Sequence, residues 1–404
     1  MSVNNNPKGD GGVSAGTYIQ LAAIGSEDIP LIRQPEFTFF KNVYNRHAPF
    51  SLESISNTFI ETPRFGSSAS VIIKKDAEMI SKMYLTIDLP YDENLTNTYW
   101  TNRIGFNLLK KYELYIGRYL VQKQYGQWVH IWNELNRTID EKSLLNHMVG
   151  NTGEKGQTNG PSANSKITLN IPIHLFFTDY ITAFPLIKLY KNTQVKIKFY
   201  FEKKVNCIQS GTIPSGDLSN AKLWVDYIFL DTEERKNIFY GEHKILFNSL
   251  QFFEKTILSS GVKSIHLPFK YNSKELFWVA QKIKENNNDK FTNFTDDNGN
   301  SNINSIQFKL DTKKMYSSKA RDNTYFNYIM PYTHHKGYPD LGINCHSFAL
   351  YPELNRPSGD LELTNISRFT MDVNIKKNCK INIYNLYYNM LTFKDGEIDL
   401  LFKV

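Results

Sequence analysis

The residues with most chemistry to offer are the histidines, cysteines and clustered acids, and their spacing argues against most of that chemistry. His334 and His335 are adjacent, with His346 a little further on, which invites a metal reading. Adjacent residues on a strand point to opposite faces and rarely chelate one ion, so surface or satisfied-core histidines are favoured. Arg46-His47 has the residue types of a catalytic pair, but no nucleophile or acid partner accompanies it. Asp296-Asp297-Asn298-Gly299-Asn300 faintly resembles a calcium loop, yet Ser301 stands where the turn needs Gly and Gln307 where the site needs an acid. Cys207, Cys345 and Cys379 are odd in number and widely spaced, which is neither a disulfide framework nor a zinc signature and suits a reducing cytosol. The sequence contains no GxxxxGK[ST], GxGxxG, GxSxG or HExxH. The expectation is a protein without catalytic residues, cofactor or metal.

The elements that must position these residues are mostly strands. Period-two alternation marks Val71-Ile72-Ile73, Met83 to Pro90, Lys166 to Ile173 and Val195 to Phe201. Leu108 to Gln122 reads as a hairpin turning near Gly117. In Lys222 to Leu230 both faces are apolar enough for a sandwich core. Helical signals are few. Asp231 followed by Thr-Glu-Glu234 predicts an N-cap and a helix to about Tyr240. Trp128 to Leu135 predicts a second helix, whose Trp128 and Trp132 share one apolar face suited to core or subunit contact. Phe176 to Ile181 is a candidate short third.

Gly150 to Ser165 and Glu285 to Ser305 are polar, rich in Gly, Asn and Ser, and predict long loops. Residues 1–15 read as a flexible arm that orders on assembly. The helix from Asp231 divides the chain into halves of similar pattern, predicting two β-sandwiches in tandem: 16–231, a linker helix region at 232–247, and 248–404. No residue-by-residue repeat relates the halves. A chain of 404 residues with 41% hydrophobic and 14% aromatic residues can fill two such cores. Its net charge of +7 is scattered, which gives no dedicated nucleic-acid face. No apolar run is long enough to span a membrane. Sequons occur at Asn94, Asn136, Asn293 and Asn365, and Asn293, in the polar loop, is the one expected to be exposed and open to glycosylation.

A series of ordered motifs runs from about Gly16 to Phe402. The leader carries Leu21-Ala22-Ala23-Ile24-Gly25, Thr38-Phe39-Phe40-Lys41 and Tyr44-Asn45-Arg46-His47. Ile116-Gly117, Tyr125-Gly126 and Ile131-Trp132-Asn133-Glu134-Leu135 follow, then Phe184-Pro185-Leu186-Ile187 and the passage Phe229 to Ile238 around Asp231. The second half adds Lys274 to Gln281, Ser347-Phe348-Ala349-Leu350, Pro357-Ser358-Gly359 and Tyr388-Asn389-Met390-Leu391. Taken in this order, the motifs resemble the major capsid proteins of nucleocytoplasmic large DNA viruses; one departure is the turn Phe393-Lys394-Asp395-Gly396-Glu397, which keeps a single glycine where family members commonly have several.

The resemblance implies an all-β double jelly roll: two tandem eight-stranded sandwiches with a few short helices. It implies homotrimers forming pseudo-hexagonal capsomers that tile the shell of the virion, with the protein made in the host cytoplasm. The implied partners are itself, neighbouring capsomers, and minor capsid, cement and penton proteins. No specific nucleic acid is implied, and the inner viral membrane only indirectly. Two alternatives stay open from sequence: a minor capsid or scaffold paralogue of the same fold, and a glycan-binding β-sandwich. Pro357-Ser358-Gly359 is read as a tight turn between Tyr351 and Leu361.

Overall fold

The computed structural model describes residues 15–151, 160–283, 291–296, 298–316, 320–340, 342–394 and 396–403, in two compact units, Met1–Ala48 and Pro49–Val404. The sequence-predicted arm lies almost wholly outside the described residues, as do 152–159 and 284–290 of the two predicted loops. In the first unit, helix α1 (Ala15–Ala22) and a short turn of helix, Ile29–Ile32, bury no residue, and Phe39 and Phe40 are 88% and 98% exposed.

Besides short strands at Tyr99–Trp100, Phe184–Pro185 and Ile208–Ser210, the second unit begins with eight longer ones: β1 (Phe50–Thr58), β2 (Ser68–Ile73), β3 (Met79–Leu89), β4 (Leu109–Ile116), β5 (Tyr119–Tyr125), β6 (Ile167–Pro172), β7 (Val195–Phe201) and β8 (Ser219–Leu230). They pair antiparallel as β1-β8-β3-β6 in one sheet and β2-β7-β4-β5 in the other. A second set follows: β9 (Lys244–Ile257), β10 (Gly261–His266), β11 (Asn272–Lys282), β12 (Ile303–Leu310), β13 (Lys313–Lys314), β14 (Ile343–Ser347), β15 (Phe369–Ile375) and β16 (Cys379–Lys394). Its sheets run β9-β16-β11-β14 and β10-β15-β12-β13. Adding eight to every strand of the first set reproduces the second, so each set is a jelly roll with the same connections. A last strand, β17 (Glu397–Leu400), pairs with β16.

Local sequence explains the strands. In β7, Val195, Ile197, Phe199 and Phe201 are buried, while Lys196, Lys198 and Tyr200 alternate outward and only half-buried. β11 breaks this rule. Ser273 to Ala280 are all buried, because its second face is covered rather than solvated. β8 is intermediate between these. Leu223, Val225 and Tyr227 are buried as predicted, but on the opposite face Trp224 and Asp226 are only half-buried, so it has one core face and not two. Trp224 is covered instead by stacking on Tyr84 of β3, at 6.1 Å.

Helices α2 (Ile104–Leu108), α3 (Gly126–Asn136), α4 (Ile139–Val149), α5 (Thr232–Tyr240) and α6 (Met330–His334) decorate the rolls. The Asp231 carboxylate accepts from the Glu233 and Glu234 amides and starts α5 as predicted. Gly117, at φ 57°, turns the predicted β4–β5 hairpin.

Three further segments depart from the sequence reading. Phe176 to Ile181 is not a helix: Phe176 and Phe177 go into the core, and only Tyr180–Thr182 makes a single 3-10 turn, held by Thr182 Oγ1 donating to the Phe176 carbonyl. The second polar loop ends early, since β12 starts at Ile303 and Phe294 and Asn302 are buried. Helix α4 went unread because its apolar residues do not align and only Val149 is buried. Its start was nonetheless written in Thr138-Ile-Asp-Glu141, where the Glu141 carboxylate accepts the Thr138 amide at 3.1 Å.

Gly126 opens α3 where a Cβ would stand 2.0 Å from the Phe106 carbonyl oxygen and 2.3 Å from that of Leu109. Gly261, at φ 95° as the first residue of β10, has nothing within 4 Å of its Cβ position. Gly126→Ala is therefore expected to cost at least about 3 kcal/mol, from the clash with fixed backbone. Gly261→Ala is expected to cost only the roughly 1–2 kcal/mol of left-handed strain. Urea unfolding midpoints of the two variants check the order, and equal losses would contradict it.

Candidate functional site

The motif residues converge on the junction between the rolls more than on any outward surface. Tyr125 ends β5 and its ring lies 4.7 Å from Phe252 of β9. Gly126 then lets α3 enter the gap. Trp128 packs at 4.8 Å on Phe277 and 5.5 Å on Tyr384, and Trp132 meets Phe277 and His335. The predicted shared face is thus core between the rolls. Gln127 Oε1 accepts from Asn382 Nδ2 and the Tyr384 hydroxyl, and Gln122 Nε2 donates to the Asn248 carbonyl. Asn133, buried, donates to the Val129 carbonyl. At the end of α3 the Gly337 amide donates to the Leu135 carbonyl at 2.6 Å, so the second roll satisfies an oxygen the helix itself leaves open. A Cβ at Gly337 would stand 2.5 Å from that oxygen.

Under this apolar layer lie two charged clusters that sequence reasoning missed. In the first, Glu134 takes Arg103 on one carboxylate oxygen and Lys142 on the other, the latter at 2.8 Å, while Lys142 also reaches the Tyr338 carbonyl. Burial would raise the Glu134 carboxyl, but Arg103, His130 and Lys142 together hold it below its ordinary value. His130 is fully buried and accepts from Arg103 at Nδ1. Burial first, and Arg103 second, pull its imidazole down to about 3, so it is neutral in the fold.

The second cluster centres on His335. The expectation placed His334 and His335 on a strand, but they lie at the end of α6 and just beyond it. His334 is half-buried and faces the Leu350 carbonyl. His346 sits in β14 among Phe308, Phe326 and Phe348, with Tyr316 at 3.3 Å. The three histidines therefore do not converge. His335 instead meets Glu275 of β11 at 2.8 Å through Nε2 and Asn136 at 2.9 Å through Nδ1, with the Glu353 carboxylate 3.6 Å away. Burial opposes a charge on this ring, but Glu275 outweighs it and holds the imidazole well above its usual value. Cys345 lies beside the pair, its thiol pushed up to about 12 by burial. Nothing in sequence links 275, 335 and 345; strand pairing of β11 with β14 brings Glu275 and Cys345 together, and the segment that follows α6 adds His335.

The other marked residues have local roles. Pro185 lies buried in a short bridge against Met79 of β3. Phe348 donates its amide to the Lys274 carbonyl. The predicted tight turn is displaced: the chain reverses at 352–356, and Pro357-Ser358-Gly359 is the return limb. There Ser358 takes the amides of Leu350 and Tyr351, and Gly359 adopts φ 128° beside the Phe348 carbonyl. Asn389, buried in β16, clasps both amide and carbonyl of Phe402. The lone glycine of the β16–β17 turn, Gly396, has φ 74°, and a Cβ there would stand 2.6 Å from the Tyr190 ring. Arg46 and His47 are exposed in the first unit. Asn293 is half-buried, its side chain accepting from Thr295, whereas Asn94 and Asn365 are exposed. Asp296 accepts the Asn298 and Asn300 amides, which makes the acidic run a hydrogen-bonded turn.

Removing His130 should flatten the acid limb of stability. The unfolded imidazole takes up a proton near pH 6.5 and the folded one only near 3, so stability falls as pH drops through that window. The slope from this one group is about 0.7 kcal/mol per pH unit between pH 7 and 6 and rises toward about 1.4 below pH 6. Urea unfolding of His130→Gln at pH 7, 6 and 5 is expected to show that much less loss per unit than the parent; identical slopes would contradict a buried neutral His130.

Comparison with known proteins gives a consistent result. Residues 38–231 match the family model of the major capsid protein N-terminus, and residues 234–401 that of the large eukaryotic DNA virus major capsid protein. The chain is similar to the major capsid protein of Pyramimonas orientalis virus, 30% identical over 94% of this chain and 98% of that one. It is also similar to the major capsid protein of Paramecium bursaria Chlorella virus 1, 28% identical over 91% and 89%. Among solved structures it superposes on PBCV-1 VP54 with a TM-score of 0.79, 24% identity, and coverage of 91% and 100%. The Faustovirus major capsid protein gives 0.73 at 9% identity, with coverage of 94% and 96%.

Proposed function

Given that the chain belongs to the large eukaryotic DNA virus major capsid protein family, we propose that it builds the shell of an icosahedral virion as homotrimeric capsomers. The observation that carries this reading is the repeated strand order, β1-β8-β3-β6 and β9-β16-β11-β14, within one chain. Two like sandwiches per chain and three chains around an axis give six sandwiches, which is the symmetry a pseudo-hexagonal tile needs. The junction supports it further, because helix α3 locks the rolls into one block that can transmit contact forces without hinging. The family is a structural one, and the buried position of the Glu275–His335 pair suits a structural role. Its partners in this reading are further copies of itself, with minor shell components at edges and vertices.

In the proposed division, 16–231 forms the first roll with its leader, 232–247 links, and 248–404 forms the second roll. The leader residues from Ala15 to Ala48 carry exposed apolar side chains, Leu31, Phe39, Phe40 and Tyr44 among them. We place them against neighbouring copies in the shell, where burial would repay about 25 cal/mol per Å2 of apolar surface. A sparsely incorporated paralogue is the second reading, since Acanthamoeba polyphaga mimivirus carries more than one similar protein, named capsid protein 1 and probable capsid protein 4. Copy number in purified particles separates the two.

Light scattering of the purified chain is expected to give a particle of about three times 46.9 kDa. A stable monomer at capsid-like concentration would overturn the self-sufficient capsomer. Limited proteolysis is expected to cut before Pro49 in isolated trimers and to spare the same bonds in assembled shells. Equal protection in both would remove the leader from shell contacts.

A further inference from the structure

The second buried cluster has the make-up of a metal site. We propose that Glu275, His335 and Cys345 bind a divalent cation of the zinc type, as a structural clamp between β11, β14 and the segment that follows α6.

Three observations carry this. First, the candidate ligand atoms of the three residues lie within 4.8 Å of one another, and all three residues are buried. A tetrahedral zinc with bonds of 2.0–2.3 Å spaces its ligands roughly 3.3–3.8 Å apart, so the group needs side-chain adjustments of under about 1 Å. Second, Glu275 Oε2 is buried and makes no hydrogen bond of ordinary geometry, the Cys345 thiol being the group that faces this carboxylate. A carboxylate oxygen left so in a buried site forgoes the solvation it had in water, and a ligated cation would restore a partner. As a bidentate ligand, Glu275 would satisfy both oxygens and, with nitrogen and sulfur, complete four donor atoms. Third, His335 is already oriented as metal-ligating histidines are: Nδ1 is held by Asn136 Oδ1 at 2.9 Å, leaving Nε2 to face Glu275.

The exchange balances. The cation takes the place of the proton shared by His335 Nε2 and Glu275 Oε1 and of the Cys345 thiol proton; both leave to solvent, and the ligands become neutral imidazole, carboxylate and thiolate. The mix of soft sulfur, imidazole and one carboxylate suits zinc over calcium or magnesium, which select oxygen alone. The site is closed, so the ion enters as the chain folds. It would fasten the first helix-bearing junction from the second roll's side, since Asn136 belongs to α3.

The test uses the full chain, untagged, expressed with supplemented zinc and purified without chelator. Elemental analysis is expected to find about one zinc per chain, retained through dialysis against a weak chelator. Chain refolded with cobalt should show a thiolate-to-cobalt charge-transfer band near the ultraviolet edge. That band should vanish in Cys345→Ser and persist in Cys379→Ser, which alters a buried cysteine outside the cluster. Failure of the wild-type chain to hold zinc or cobalt would overturn the proposal without any variant being needed. Cobalt bound with no thiolate band, or with a band that survives Cys345→Ser, would overturn it equally by placing the ion elsewhere.

Discussion

The packing of one helix, α3, into the gap between two sandwiches is the interaction on which the rest of the molecule depends. Trp128 and Trp132 supply its largest side chains, and Phe277 and Tyr384 lie 4.8 and 5.5 Å from the Trp128 ring. Aromatic pairs of this geometry contribute about 0.5–1.5 kcal/mol each beyond simple burial. Without them, β11 would expose the face that makes Ser273 to Ala280 continuously buried, and its lysine and glutamate would return to water. One covered face thus explains an apolar-and-charged strand that fits neither ordinary alternation nor an ordinary two-sided core.

The charged clusters follow from that enclosure. A carboxylate taken out of water must be matched, and the chain matches Glu134 with Arg103 and Lys142, and Glu275 with His335. Such pairs add little net stability against an apolar replacement, yet breaking one member is costly because the other charge stays buried. They specify one relative placement of the elements they join. Arg103 precedes α2, Glu134 lies on α3, and Lys142 on α4, so a single carboxylate fixes three helices of the first roll. His335 does the same from the second roll, reaching Asn136 across the junction.

Much of this was legible in sequence, and what was not has a physical reason. Strands with one wet face announced themselves: β7 was read to the residue, since lysines mark its outer face. The N-cap at Asp231 and the hairpin at Gly117 were read from single residue types with local causes. Helix α4 was missed because few of its side chains are buried, so periodicity carried no signal, although Thr138 and Glu141 did. The Phe176-Phe177 segment was misjudged because two phenylalanines bound for the core look the same in a helix as in a turn. The Glu275–His335–Cys345 group was invisible, since only the β11–β14 register and the return of the chain after α6 bring the three positions together. The family likeness rested on ordered motifs, and several of these proved to be places where backbone crowding forbids a side chain, as at Gly126, or where a side chain imitates backbone, as Asn389 does.

The contrast between two glycine turns bears on how such a shell could be decorated. A peptide inserted at the β16–β17 turn would have to displace Tyr190, whose ring lies across Gly396 and whose amide donates to the Gly396 carbonyl. The β9–β10 turn meets no such obstacle at Gly261, and the neighbouring Leu258 is exposed. Foreign epitopes grafted there would add loop length at the modest logarithmic entropy cost of a longer closed loop. The same fold therefore offers one hairpin as a mounting point for display and closes another that looks equivalent in sequence.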